Sequence, residues 1–303
     1  MKQKQRKSDI LWKVVMEEVF DDLLRFVVPD ADQVYNLERG FEFLDKELAE
    51  MYPEPEKEAC TRFADKLVKV FNREGQEEWV LMHIEIQGET KKKDRPLFAN
   101  RMLRYFIRIW DRYQKPVSAV AIFTGPDGKK MPVRFEYAYR NTRLLYEYDT
   151  LSILDYTDEE LDKSDNPFAQ VVLAAKTSLL EKKIPEVELL GLKILIASKL
   201  FKRGFNQRKI RAIFTFLESY VLFGDSEMNR NFRERIRSQD KNNIMGIDEY
   251  VRRVAKEEER ENNSRLFVEN LLKDGSFSVE KIASLANVTV AFVNKIKKGL
   301  KTK

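Results

Sequence analysis

Asp65 and Glu85 are the residues whose types and spacing best suit chemistry. From Glu78 to Gly88 apolar residues alternate, so the stretch reads as a β-strand. Val80, Met82, Ile84 and Ile86 fall on one face, and Trp79, Leu81, His83, Glu85 and Gln87 on the other. Phe63 to Phe71, rich in Val and Phe, reads as a second strand, and Asn72-Arg73-Glu74-Gly75-Gln76 between them has the length and glycine of a hairpin loop. A turn centred near Gly75 sets Asp65 opposite Glu85, with Cβ atoms about 4.5–5.5 Å apart. Carboxylates that close repel unless a cation separates them: an arginine, a lysine or a divalent metal. A slip of one residue would send the two acids to opposite faces. Without such a cation, the acidic end of this face is simply where a sheet meets water.

Composition narrows the choice of cation. The 303 residues include one cysteine, Cys60, and one histidine, His83. A zinc site built from several Cys and His ligands is therefore excluded, as is a disulfide within one chain. A metal here would be held mainly by oxygen, which favours Mg²⁺, Mn²⁺ or Ca²⁺. No nucleophile motif accompanies His83. The net charge of +5 permits a nucleic-acid partner without requiring one. The basic residues at 1–7 precede no signal-type apolar run, and the 10–28 stretch holds four acids. No segment has the apolar length to span a membrane, so a cytoplasmic location is the expectation.

The elements that must position these acids follow from periodicity. Ser8 can cap a helix that stops at Pro29, with Trp12, Val15, Val19, Phe20, Leu23 and Phe26 apolar and Glu17, Glu18, Asp21 and Asp22 on its other side. After Gly88 the chain is basic, with Lys91, Lys92, Lys93 and Arg95. A helix is predicted from Pro96 to Tyr113, buried along Phe98, Met102, Phe106, Ile109 and Tyr113. Arg101, Arg104, Arg108 and Arg112 share another of its faces. Such a row can track phosphates through forked donors, or be an exposed face balanced by Asp94 and Asp111. The apolar run 117–123 suits a strand covered on both sides. Gly125-Pro126-Asp127-Gly128 is a turn, and 133–139 and 143–148 read as further strands. The first half is thus an α/β sandwich around a mixed sheet.

Beyond Asp155 the pattern is helical, with predicted helices over 166–180, 185–202, 206–223 and a long charged one over 247–272. Ser278 and Thr289 can each cap a short helix around a tight turn, a helix-turn-helix-like tail ending in Lys295, Lys297 and Lys298. Three segments result: a core over 1–155, a helical subdomain over 156–245, and a tail over 246–303.

Asp65 followed on the next strand by Glu85-Ile86-Gln87 resembles the PD-(D/E)XK nuclease superfamily. Val80–Gln87 followed by Arg101-Met102-Leu103-Arg104-Tyr105-Phe106 looks like the Rpn family of recombination-promoting nucleases, also called putative transposases. Phe43–Leu48, Asp65–Val70 and Ile122-Phe123-Thr124 are similar to it too, so the likeness covers roughly residues 9–155.

It implies a restriction-endonuclease-like mixed sheet flanked by helices, followed by an all-helical C-terminal half. It also implies a Mg²⁺-dependent (or Mn²⁺-dependent) DNA endonuclease acting in recombination or transposition. Asp65 and Glu85 would hold the metal. Gln87 stands where many relatives carry Lys, and it can orient a water without supplying charge. Glu17, with Glu18 close behind, is the candidate for the acid that such enzymes often add from the first helix. His83 shares the Glu85 face and either lines the site or is a half-buried structural imidazole. Arg101, Arg104, Arg108 and Lys92 are the candidate DNA contacts. Pairing of two chains through the helical half would present two sites to two DNA strands. The alternatives are a catalytically weak DNA-binding or assembly protein on this fold, and an interaction scaffold built on the charged helix.

Overall fold

The computed structural model describes residues 2–44, 63–85, 95–239 and 263–301, with Lys256 and Arg260 as isolated helical positions. It is a mixed α/β structure with a helical C-terminal half. Helix α1 (Lys2–Val27) bends at Val19, and α2 (Ala31–Val34) and the short strand β1 (Glu42–Phe43) follow. Next come β2 (Phe63–Phe71), β3 (Glu77–Glu85), α3 (Arg95–Tyr113) and β4 (Val117–Phe123). A hairpin, β5 (Arg134–Tyr139) and β6 (Thr142–Glu147), leads to β7 (Asp149–Ser152). The helical half comprises α4 (Asp158–Lys163), α5 (Pro167–Ser178), α6 (Glu186–Lys202), α7 (Gln207–Tyr220), α8 (Ser226–Gln239), α9 (263–274), α10 (Val279–Ala286) and α11 (Val290–Lys301).

The main sheet runs β1-β2-β3-β4-β7. Its first three strands pair antiparallel, and β3, β4 and β7 are parallel. Parallel neighbours need a crossover, and α3 supplies the one between β3 and β4. Strand alternation then sorts the core into two layers. Val68, Val70, Val80, Met82, Val120, Ile122 and Leu151 join α1 and the helices α5 to α8 in one large buried cluster. Leu67, Trp79, Leu81, Ala119, Ala121 and Phe123 join Phe98, Met102 and Ile109 of α3 in a second.

The change of pattern near Asp155 is a change of secondary structure, not a break in packing. Trp12 of α1 meets Phe216 of α7 with ring centroids 4.8 Å apart. Asn166, the N-cap of α5, donates to the Asp22 carbonyl at 2.9 Å. Lys209 reaches Asp22 at 2.6 Å. Asp22, one of the acids placed by the sequence on the other side of α1 from its apolar residues, is buried, and burial pushes its carboxyl pKa up despite the Lys209 bond.

The tail has its own small core of Val268, Ile282, Ala283, Val293 and Ile296. Ser278 accepts from the Lys281 amide and Thr289 from the Phe292 amide, both as expected from the sequence. The turn passes through Asn287 at φ 50°, the left-handed C-cap conformation that asparagine tolerates. Of the long helix expected over 247–272, the described residues are Lys256 and Arg260, both helical, and the last part, which belongs to α9.

Candidate nuclease site

Strands β2 and β3 form because both alternate, and the five-residue loop joins them. Asn72 N–H donates to the Gln76 carbonyl at 2.9 Å, Gly75 N–H to the Asn72 carbonyl at 3.0 Å, and Gly75 takes φ 83°. Phe71 therefore pairs with Glu77, and the turn is centred on Glu74 rather than near Gly75. That moves every partner by two. Asp65 pairs with His83, and Glu85 with Phe63; direct opposition of Asp65 and Glu85 does not occur. A shift of two preserves parity, so both acids keep to the same side of the sheet on neighbouring rungs, Asp65 opposite His83 and Glu85 opposite Phe63. Diagonal Cβ atoms lie about 7–8 Å apart. Two carboxylates borne on backbone positions at that separation are close enough for one hard cation to bridge them. The side-chain atoms of Asp65, His83 and Glu85 are outside the described part of the structure.

Strand β3 also pairs in parallel with β4, Glu85 opposite Phe123 and His83 opposite Ala121. The acids thus belong to the α3 side of the sheet, near the C-terminal ends of the parallel strands. Open α/β sheets commonly bind ligands at that end. Arg95, the first residue of α3, lies 3.4 Å from Asp127 in the turn after β4. That guanidinium is held at the same end by an ion pair that the sequence reading did not connect.

Glu17 is placed elsewhere. Helix α1 covers the opposite face of the sheet, and Glu17 Oε1 accepts from Lys66 Nζ at 2.6 Å. Lys66 is 1% exposed, and its ammonium also lies 4.8 Å from the centroid of Phe43. Strand alternation explains this, because Lys66 is out of phase with Asp65 and in phase with Val68 and Val70. Glu17 is thus the counter-ion of a buried lysine, and neither it nor Glu18 joins the Asp65 side. The signal was present in the sequence: Lys66 interrupts the apolar phase of β2, where a charge needs a partner.

Gln87 and Lys92 lie outside the described residues. Arg101, Arg104, Arg108 and Arg112 occupy one side of α3 as their spacing requires, with the last three exposed and Arg101 half-buried. The Arg101 guanidinium lies 5.4 Å from the Phe98 ring centroid, and that of Arg112 lies 5.3 Å from Tyr113. Among the described residues there is no cluster of three or more His, Cys, Asp or Glu able to hold a metal, and no helix long and apolar enough to cross a membrane. No family model matches the chain, and no curated protein or solved structure is significantly similar to it.

Proposed function

We propose that this chain is a Mg²⁺- or Mn²⁺-dependent DNA endonuclease with a restriction-enzyme-like core, acting in recombination or transposition. The observation that supports it is the β2–β3 register, which keeps Asp65 and Glu85 on one side of the sheet on neighbouring rungs, with His83 directly opposite Asp65. The resemblance of Asp65 and Glu85-Ile86-Gln87 to the PD-(D/E)XK pattern supports it independently. Asp65 and Glu85 would supply the carboxylate oxygens that hold the ion, which when bound would polarise the scissile phosphate and lower the pKa of a water. Gln87 would orient a water by hydrogen bonding, without the charge a lysine would add. The arginine row of α3, on the same side of the sheet, suits phosphate contacts that fix the position of the duplex. The first-helix acid drops out, since Glu17 is committed to Lys66.

The test is nicking of supercoiled plasmid in Mg²⁺ and in Mn²⁺ by the wild type, Asp65→Asn and Glu85→Gln. Wild-type nicking that either substitution reduces to background supports the proposal. Equal cutting by all three removes these residues from the mechanism. The substitution of Gln87 for lysine favours a second reading, a binding protein with little catalysis. It is distinguished by salt-sensitive DNA binding without cleavage in either metal, weakened by Arg101→Ala and Arg104→Ala.

A further inference from the structure

The hairpin β5–β6 is more than a connection between β4 and β7. A two-stranded hairpin is marginal alone in water, and this one is anchored at its base. Tyr146 packs on Phe106 of α3 at 4.9 Å, and the Tyr148 hydroxyl donates to the Pro132 carbonyl at 2.7 Å. Pairing of Phe135 with Tyr146, Tyr137 with Leu144 and Tyr139 with Thr142 sets all six on one face. Only the basal pair is covered. Toward the tip, Tyr137 is 48% exposed and Tyr139 60% exposed, and this face carries no charged residue.

The two-residue loop at the tip begins with Arg140 at φ 51°, a conformation that a hairpin turn needs and that usually falls to glycine or asparagine. Its guanidinium lies 5.5 Å from the Tyr139 ring centroid. Arg143 is exposed on the other face. The only acids of the hairpin, Glu136 and Glu147, face Arg134 at 2.5 and 4.0 Å.

We propose that this arm is a stacking platform for single-stranded nucleic acid, with bases on Tyr137 and Tyr139 and phosphates on Arg140 at the tip and, where the strand passes round the edge of the hairpin, on Arg143. Charge complementarity selects this occupant. Residues 95–147 hold eleven Lys and Arg against four Asp and Glu, a surplus of seven, whereas the whole chain carries +5. Both glutamates of the arm face Arg134, so the tip of a second copy would bring Arg140 and Arg143 against like charge. An unpaired strand offers both ring faces and phosphates, and open aromatic faces beside guanidinium groups are how sequence-tolerant single-strand sites are built. The inference rests on the chain acting on nucleic acid, but not on Asp65 and Glu85 holding a metal.

The experiment is fluorescence anisotropy of labelled (dT)20, (rU)20 and a 20-base-pair duplex with the full chain in EDTA, where no cleavage intervenes. The wild type is expected to bind the single strands more tightly than the duplex. The two oligonucleotides report whether DNA or RNA is preferred. Tyr137→Ala with Tyr139→Ala is expected to weaken single-strand binding about tenfold or more, while Tyr137→Phe with Tyr139→Phe binds as the wild type does. Arg140→Ala with Arg143→Ala, which leaves the rings in place, is expected to make the salt dependence shallower by about 0.7 in log–log slope per lost phosphate contact.

Wild-type affinity in both the alanine and the arginine variants overturns the proposal. So does a tyrosine-to-alanine pair that alters only the sedimentation of the protein, which would make the arm a self-association surface. Plasmid nicking separates the two proposals. Single-strand binding that depends on the arm, with no nicking by the wild type, overturns the nuclease alone; metal-dependent nicking with an arm that binds nothing overturns the platform alone.

Discussion

Lys193 gives the sharpest test of the energetics. It sits in α6 with a fully buried side chain. Its Nζ donates to the carbonyls of Glu218 at 2.9 Å and Val221 at 2.7 Å, at the C-terminal end of α7. The rings of Phe232 and Phe223 lie 4.5 and 4.9 Å away. Burial pulls its pKa from 10.5 down to about 7, against the raising influence of Glu218 and Glu181. Because the folded pKa lies below the unfolded one, the unfolded chain binds more protons between about pH 7 and pH 10.5. Stability attributable to this group therefore rises with pH across that window and is lost as pH falls toward 7.

The slope approaches about 1.4 kcal/mol per pH unit, and the whole shift corresponds to about 5 kcal/mol as an upper bound. Raising pH from 7.5 to 9.5 should thus stabilise the wild type by about 2 kcal/mol more than Lys193→Met, which has no proton to release there. The assay is urea unfolding at pH 7.5, 8.5 and 9.5 for both proteins, with reductant present for Cys60. The difference between the curves isolates the lysine from other groups that titrate in this range. Parallel pH dependences would refute the reasoning and mean that two carbonyls and two ring faces keep the ammonium charged in the fold.

The Glu17–Lys66 pair predicts that Glu17→Ala costs about 2 kcal/mol, less than the usual penalty for a broken buried pair because the Glu17 side chain is 42% exposed. A double-mutant cycle with Lys66→Met should give a coupling of about 1–2 kcal/mol in thermal melts, and additivity would remove the pairing from the stability of the fold. At Gly128 an added Cβ would stand 2.5 Å from Ser152 Oγ and 3.2 Å from Phe123 Cβ. Gly128→Ala should therefore destabilise by about 1–3 kcal/mol, measured by urea unfolding, and Ser152→Gly should recover part of it. In the tail, Asn287→Ala should loosen the amides of α10 and α11 in hydrogen exchange by about 1 kcal/mol, whereas Asn287→Gly should not, since only the alanine is strained at φ 50°.

Local periodicity made most of the first half legible. The spans 63–71 and 117–123 coincide with β2 and β4, and the predicted starts of β3 and α3 fall within one residue of those observed. Alternation is a property of neighbouring residues, so it survives without knowledge of the rest of the chain. Five elements escaped, among them α2 and β1, which have only four and two residues. Strand β7 has four residues, and what defines it is its parallel pairing with β4. Helix α4 is six residues long, and α8 is too polar for its apolar residues to dominate a pattern. The capped turn of the tail was readable because Ser278 and Thr289 act on amides three residues away.

By itself the sequence determined which residues of one strand share a sheet face, because within a strand face depends only on odd or even position; Asp65 and Glu85 share one because the observed register differs from the expected one by an even number. Tertiary structure decided the rest. Hydrogen bonding inside the 72–76 loop chose the rung, giving Asp65 to His83 instead of Glu85. The passage of α1 over the other side of the sheet joined Glu17 to Lys66 across 49 residues. The joining of α1 with α5 to α8 buried Asp22 and made two apparent segments one core. Register and partnership are contacts between residues far apart in the chain, fixed only when the backbone closes its hydrogen bonds and the apolar faces find each other.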